Sequence, residues 1–161
     1  MDLSVVLSLL LMLGLAFAIG ANDETLATLV GTRAVKLKFA ILGGAFLVFA
    51  GVLLLSQQVG KTIGSNLLGS SVEYSVHMML AIIVSTTVWL IFASRIGAPI
   101  STTHSIVGSV FGIALTLWLQ GQSPLITALN WQKMGEVVLS WIISPILGFI
   151  GAVVFQIAVT K

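Results

Sequence analysis

The amino-acid sequence predicts an all-α integral membrane domain with about five hydrophobic spans. Hydrophobic residues make up 58% of the 161 residues and charged residues only 7%, whereas soluble domains average about 25% charged residues. The mean hydropathy is +1.15. Apolar runs close to the roughly 20 residues that cross a bilayer recur along the chain. So few charges could not cover a water-facing surface, so most of the surface must face lipid.

The predicted spans are residues 3–21, 37–56, 76–94, 97–119 and 137–159, and a polar loop is expected over 57–75. Helix is the default for each span because lipid leaves open backbone groups unsatisfied. The first run has no lysine or arginine before it, so we interpret it as a retained span rather than a signal peptide. No internal repeat is apparent, and residues 1–161 are interpreted as one transmembrane domain and one repeat unit.

Two spans are predicted to be irregular. Gly20 allows the first helix to break where the apolar run ends. Pro99 and the hydroxyl-rich run behind it interrupt the fourth segment, which is therefore expected to be broken or re-entrant. Gly108 and Gly112 have the spacing that favours close helix packing.

Lysine and arginine placement predicts the orientation. If all five segments cross once, the two sides carry five and two basic residues: Arg33, Lys36, Lys38, Arg95 and Lys161 against Lys61 and Lys133. The positive-inside rule then places the N-terminus outside a plasma membrane. An odd number of spans would give an appended second copy the opposite orientation, which is a common construction of secondary transporters.

Several classes of function are not expected. The sequence has no cysteine and only two histidines, so no transition-metal site is predicted. No cofactor is implied. No basic patch with interleaved aromatic residues indicates a nucleic-acid partner. Ser101 and His104 could suggest an intramembrane hydrolase, but no G-x-S-x-G context surrounds the serine.

The first chemistry-bearing cluster is residues 20–25, Gly-Ala-Asn-Asp-Glu-Thr. Ionisable groups beside an apolar span are costly unless they pair, reach water or bind an ion. Carbonyls freed by a helix break, together with the Asp23 carboxylate, would suit a small hard cation such as Na⁺. Asp23 could instead carry a proton, and an ordinary helix end with solvated acids is the alternative.

The second cluster is residues 97–105, Gly-Ala-Pro-Ile-Ser-Thr-Thr-His-Ser. Ser101 is a good N-cap, and proline favours a helix start. Hydroxyls and free N–H groups would then converge at a helix N-terminus, where the helix dipole favours an anion such as phosphate or sulfate. A capped helix start whose hydroxyls bond back to the backbone is the alternative.

At these clusters the sequence resembles the inorganic phosphate transporter family, whose members include Na⁺- or H⁺-coupled phosphate permeases and some sulfate permeases. The G-A-N-D motif matches residues 20–23, the P-[IV]-S-T-T-H-S-I-V-G motif matches 99–108, and S-W-[VI]-[IV]-S-P is similar to 140–145. The resemblance implies that Asn22 and Asp23 bind the cation. It also implies that Asn22 and the hydroxyl residues Ser101, Thr102 and Thr103 bind the anion. Accessory candidates are Glu24, Thr25, His104 and Ser144.

The sequence departs from the family pattern at two places. Glu24-Thr25-Leu26-Ala27 stands where V-A-N-A is common, and Val48 aligns with an often acidic position. One cation ligand could therefore be missing, which leaves the coupling ion and the stoichiometry open. Typical members carry two inverted copies of this unit.

The sequence analysis leads to a hypothesis of cation-coupled phosphate symport by a half-transporter. Such a unit would work as a homo-oligomer or with a second half-transporter chain. A sulfate or other oxyanion permease half and a non-transporting regulatory partner of a full permease are the alternatives.

Overall fold

The computed structural model describes residues 3–65 and 67–160. In these ranges the chain forms seven helices: α1 Leu3–Asn22, α2 Ala27–Gly31, α3 Leu37–Ser65, α4 Val76–Arg95, α5 Thr102–Leu119, α6 Leu125–Ala128 and α7 Trp131–Val159. Five of them (α1, α3, α4, α5 and α7) are long and apolar enough to cross a membrane. The predicted all-α class and number of spans are therefore confirmed.

Helices α1, α4 and α5 form the packed centre of the unit. A Cβ placed on Gly14 would lie 3.9 Å from the Thr87 Cγ2 atom, and the Asn22 side chain contacts Ser94 about two turns further along both helices. Helices α1 and α4 are therefore parallel, and they end at the same face. α5 returns antiparallel to α4, so that its N-terminus lies at this face too.

The turn between α4 and α5 is fixed by local chemistry. Gly97 has φ +70°, its N–H bonds the Ser94 carbonyl, and the next N–H, that of Ala98, bonds the Ala93 carbonyl. This is the Schellman arrangement, which uses a left-handed glycine to end a helix. Ser101 then starts α5 as its N-cap, since its Oγ accepts the His104 N–H at 3.5 Å. The predicted N-cap is confirmed.

A short antiparallel bridge closes the opposite face. It pairs Leu68 with Leu129, with the Asn130 N–H donating to the Leu67 carbonyl and the Gly69 N–H donating to the Ala128 carbonyl. Leu67, Leu68 and Leu129 are buried in the core cluster, together with residues of α4, α5 and α7. The loops before α4 and before α7 are therefore held against the ends of the packed helices.

The two longest helices are mostly uncovered by the rest of the chain. Only 6% of the apolar span of α3 is buried, and in α7 Met134 is the one buried residue. Met134, Val137 and Trp141 pack on the core cluster, but every residue from 142 to 160 is exposed. Pro145 lies inside α7 and lacks the N–H that would bond the Trp141 carbonyl. These apolar faces are suited to lipid or to a further membrane-embedded unit.

Two local predictions had the wrong bounds. α1 runs through Gly20 and ends at Asn22, so the break comes two residues later than predicted. α3 continues to Ser65, so the first nine of the nineteen residues predicted as a loop are helical. The interruption expected in the fourth segment lies at its start, because the backbone before Thr102 is irregular and α5 is then continuous to Leu119.

The bridge leads to a stability prediction for Gly69→Ala. A Cβ at Gly69 would lie 1.9 Å from the Thr127 carbonyl oxygen, so one of the paired loops must move. We expect a lower unfolding temperature, measured by tryptophan fluorescence in detergent, and a cost of about 1–3 kcal/mol, as is typical of overpacking. Gly148→Ala is the control, since a Cβ there meets nothing within 4 Å. Equal unfolding temperatures for the two variants would contradict the bridge.

Candidate substrate and cation site

The Asn22 side chain joins the two clusters that the sequence singled out. It is 7% exposed, its Nδ2 donates to the Ile100 carbonyl at 2.5 Å, and its Oδ1 accepts from the Ser94 hydroxyl at 3.3 Å. A buried amide is stable only when its donors and acceptors are paired. The pairing therefore holds the end of α1 against the turn that leads into α5.

Asp23 lies directly behind Asn22, outside the helix. Its Oδ1 accepts the Thr25 N–H at 3.0 Å and also accepts the Thr25 hydroxyl hydrogen. Both bonds favour the charged form, and these bonds from Thr25 lower the pKa of the Asp23 carboxyl below its usual range. These bonds therefore favour the ionised carboxylate, which is the form that a cation ligand needs.

The N-terminus of α5 presents hydroxyls and free amides next to the hydrogen bond between Asn22 and the Ile100 carbonyl, which we call the Asn22 tie. Ser101, Thr102 and Thr103 follow Ile100 directly. In the described ranges the Thr102 and Thr103 hydroxyls have no bonding partner, and as the first two helical residues they also leave their N–H groups unpaired. The helix dipole adds about half a positive charge at this end. The predicted anion-binding groups thus lie beside the Asn22 amide.

His104 and Trp141 form a stacked pair between α5 and α7. Their ring centroids are 3.6 Å apart and the rings lie 17° from parallel. The Trp141 Nε1 atom is buried, and in the described part of the chain it has no hydrogen-bond partner. Trp141 therefore packs against α5 within the unit.

The remaining accessory candidates differ in their contacts with the predicted site residues. Thr25 bonds Asp23, whereas Glu24 is exposed in the turn before α2. Ser144 is exposed on α7, three residues after Trp141. In the described ranges no group of three or more His, Cys, Asp or Glu side chains could hold a metal ion.

Sequence reasoning missed Ser94 and the Ile100 carbonyl. Both hold Asn22, yet Ser94 lies outside the motifs, and Ile100 contributes a backbone carbonyl that its residue type does not reveal. The position of Ser94 at the polar end of the third span is the one signal that could have suggested it. Sequence reasoning also missed the hydroxyl cluster of Ser85, Thr86 and Ser109 between α4 and α5.

The described chain is a helical unit with five candidate membrane spans, and polar groups gather where α1 ends and α5 begins. The sequence profile of the phosphate transporter family matches residues 19–161, and the chain belongs to this family. A candidate phosphate permease of Thermococcus kodakarensis is 35% identical over 167 residues, which cover 100% of this chain and 40% of that protein.

Two further relatives are described as sodium-dependent. A sodium-dependent phosphate transporter of Plasmodium falciparum is 33% identical over 151 residues, covering 89% of this chain and 22% of that protein. A solved structure of a sodium-dependent phosphate transporter superposes with a TM-score of 0.79 at 34% identity, covering 91% of this chain and 36% of that one. The chain thus spans less than half the length of the relatives it matches.

The Asp23–Thr25 contact leads to a prediction about the Asp23 pKa. Replacing Thr25 with Val removes the hydroxyl donor that stabilises the carboxylate, so we expect the Asp23 pKa to rise. Asp2 and Asp23 are the only two aspartates in the sequence. A ¹³C-aspartate NMR titration of the Asp2→Asn protein in nanodiscs therefore reports Asp23 alone.

Thr32→Val is the matched control for this titration, because the Thr32 hydroxyl bonds the Thr28 carbonyl and not Asp23. An Asp23 pKa that stays the same or falls in the Thr25→Val protein would show that the hydroxyl does not stabilise the carboxylate.

Proposed function

We propose that this unit binds inorganic phosphate at the N-terminus of α5 and carries it across the membrane together with Na⁺. The observation that supports this most strongly is the Asn22 tie to Ile100. It joins the end of α1, where Asp23 follows, to the start of α5, where Ser101 follows. A cation held by carboxylate and carbonyl oxygens would then lie beside an anion held by hydroxyls and amides.

Charge balance is the physical basis of the coupling. A phosphate that leaves water needs its charge offset, and one helix N-terminus supplies only about half a unit. A Na⁺ ion close to the site would supply the rest, so each ion would bind more tightly when the other is present. The lowered pKa of Asp23 and the sodium dependence of two relatives favour Na⁺ over H⁺.

A second unit would complete the pathway, in the same polypeptide or in another. The relatives are more than twice as long as the part that matches this chain. The long exposed faces of α3 and α7 are suited to pack against such a unit. Arg95 ends α4 at the face that holds Asn22, and Arg33 and Lys36 lie between α2 and α3. The positive-inside rule would turn this face toward the cytoplasm and leave the N-terminus outside.

Uptake of radiolabelled phosphate by proteoliposomes tests this proposal. We expect an inward Na⁺ gradient to drive uptake, an equal K⁺ gradient to fail, and excess sulfate to compete poorly. Asp23→Asn should reduce Na⁺-driven uptake by about 5- to 150-fold, the effect of losing a coupling free energy of about 1–3 kcal/mol.

Glu73→Gln is the control, since it also removes one carboxylate but lies in the loop at the opposite face. Normal uptake by a correctly inserted Asp23→Asn protein would exclude Asp23 as the cation ligand. Uptake that follows a proton gradient without Na⁺ would contradict the choice of coupling ion.

A further inference from the structure

A groove follows the α4–α5 pair over its whole length. Its larger part, about 640 Å³, reaches Ile100 and His104 at the face that holds Asn22. Its smaller part, about 330 Å³, reaches His77 and Gln122 at the opposite face. The two parts share the lining residues Ala81, Ile113 and Thr116, so they adjoin. α5 has 18 residues, so the groove is about 27 Å long at about 1.5 Å per residue.

The lining of the groove combines mostly apolar side chains with several hydroxyls and carries no full charge. Hydroxyls from Ser85, Ser109 and Thr116 lie along the larger part, and no Asp, Glu, Lys or Arg lines either part. Its titratable groups are His104 near one end and His77 near the other. A route for an ion must bind it well enough to admit it and weakly enough to release it. The hydroxyls among these apolar side chains can donate to an anion, and no carboxylate in the lining repels it.

The middle of the groove contains a hydroxyl cluster. The Ser85 hydroxyl lies 2.7 Å from the Ala81 carbonyl, within its own helix, and 2.9 Å from Ser109 Oγ, and its one hydrogen can serve either acceptor. Thr86 Oγ1 lies 3.1 Å from Ser109 Oγ, which donates to the Ser105 carbonyl at 2.9 Å. Thr86 is fully buried, whereas Ser85 is exposed to the groove.

The Ser85 and Ser109 hydroxyls can turn toward a ligand at little cost. A hydroxyl hydrogen rotates to suit its acceptor. The Ser105 carbonyl that accepts from Ser109 lies inside α5, where a helical N–H also serves it. An oxyanion in the groove could therefore accept both hydroxyl hydrogens without leaving a buried backbone group unpaired.

Gly108 and Gly112 form part of the groove floor. The sequence predicted that they pack against another helix, but within the described chain a Cβ on either would meet nothing within 4 Å. Their missing side chains deepen the groove instead. A helix from another unit could cover them, but it would also seal a groove that opens at the candidate anion site.

We infer that the α4–α5 groove is one wall of the water-filled route for the oxyanion. Ser85 and Ser109 form a weak intermediate binding site along it. This inference rests on the proposed phosphate transport. It names a surface distinct from the Asn22 and Ser101 site, and it assigns the groove to a hydrated anion rather than to lipid or a packed helix.

Cysteine labelling in proteoliposomes tests this inference, and the natural absence of cysteine makes each single variant report one position. Ser85→Cys and Ser109→Cys place a nearly isosteric thiol in the groove. Val84→Cys and Phe111→Cys are depth-matched controls on the same helices, because Val84 is 41% and Phe111 38% exposed and neither lines the groove. The probe is an anionic methanethiosulfonate, which reacts only with thiols that water can ionise.

We expect rapid reaction at Ser85→Cys and Ser109→Cys, little at the two controls, and clear slowing of the groove reactions by saturating phosphate. Absent reaction in the groove variants, or reaction that phosphate leaves unchanged, overturns the inference. Phosphate uptake by the cysteine-free chain is measured in the same vesicles. Failure of uptake alone would refute the proposed function, whereas the labelling pattern would still report whether water fills the groove.

Discussion

The tie between Asn22 and the Ile100 carbonyl is the contact on which the arrangement of the site depends. The two residues are 78 positions apart in the chain. Asn22 is the last residue of α1, and Ile100 lies just before α5 begins. In a membrane, backbone groups outside helices must find partners within the protein or in a water-filled cavity. The Asn22 side chain meets that requirement at the α4–α5 turn, and by doing so it fixes where Asp23 and Ser101 lie.

Some backbone N–H groups of the α4–α5 turn are paired within the turn, and others are left unpaired. The left-handed Gly97 lets two N–H groups bond back into α4, and Ser101 caps the His104 N–H. Thr102 and Thr103 are left with unpaired amides at the positive end of α5. Unpaired donors beside lipid would be costly, so their retention at this position is best explained by an anion or water that accepts from them.

Local chemistry could be predicted from the sequence, whereas contacts between distant segments could not. Hydropathy identified the five spans, and the Pro99 to Ser101 run predicted the start of α5. The extension of α3 to Ser65 was missed because polarity marks the edge of the membrane, not the end of a helix. The roles of Ser94 and of the His104–Trp141 stack depend on which helices pack together, and no periodicity within one helix carries that information.

The proposed transport requires one surface that binds an oxyanion and another that lets it pass, and the α4–α5 pair has groups suited to each. At its end, a helix dipole and unpaired donors concentrate positive potential beside Asn22, which favours residence. Along its length, Ser85 and Ser109 offer neutral hydroxyls that are already partnered, so an anion gains little by staying there. Since α1 packs on α4 while α3 and α7 remain largely uncovered, the Asn22 contact lies within the packed helices and does not depend on what covers the outer faces of α3 and α7.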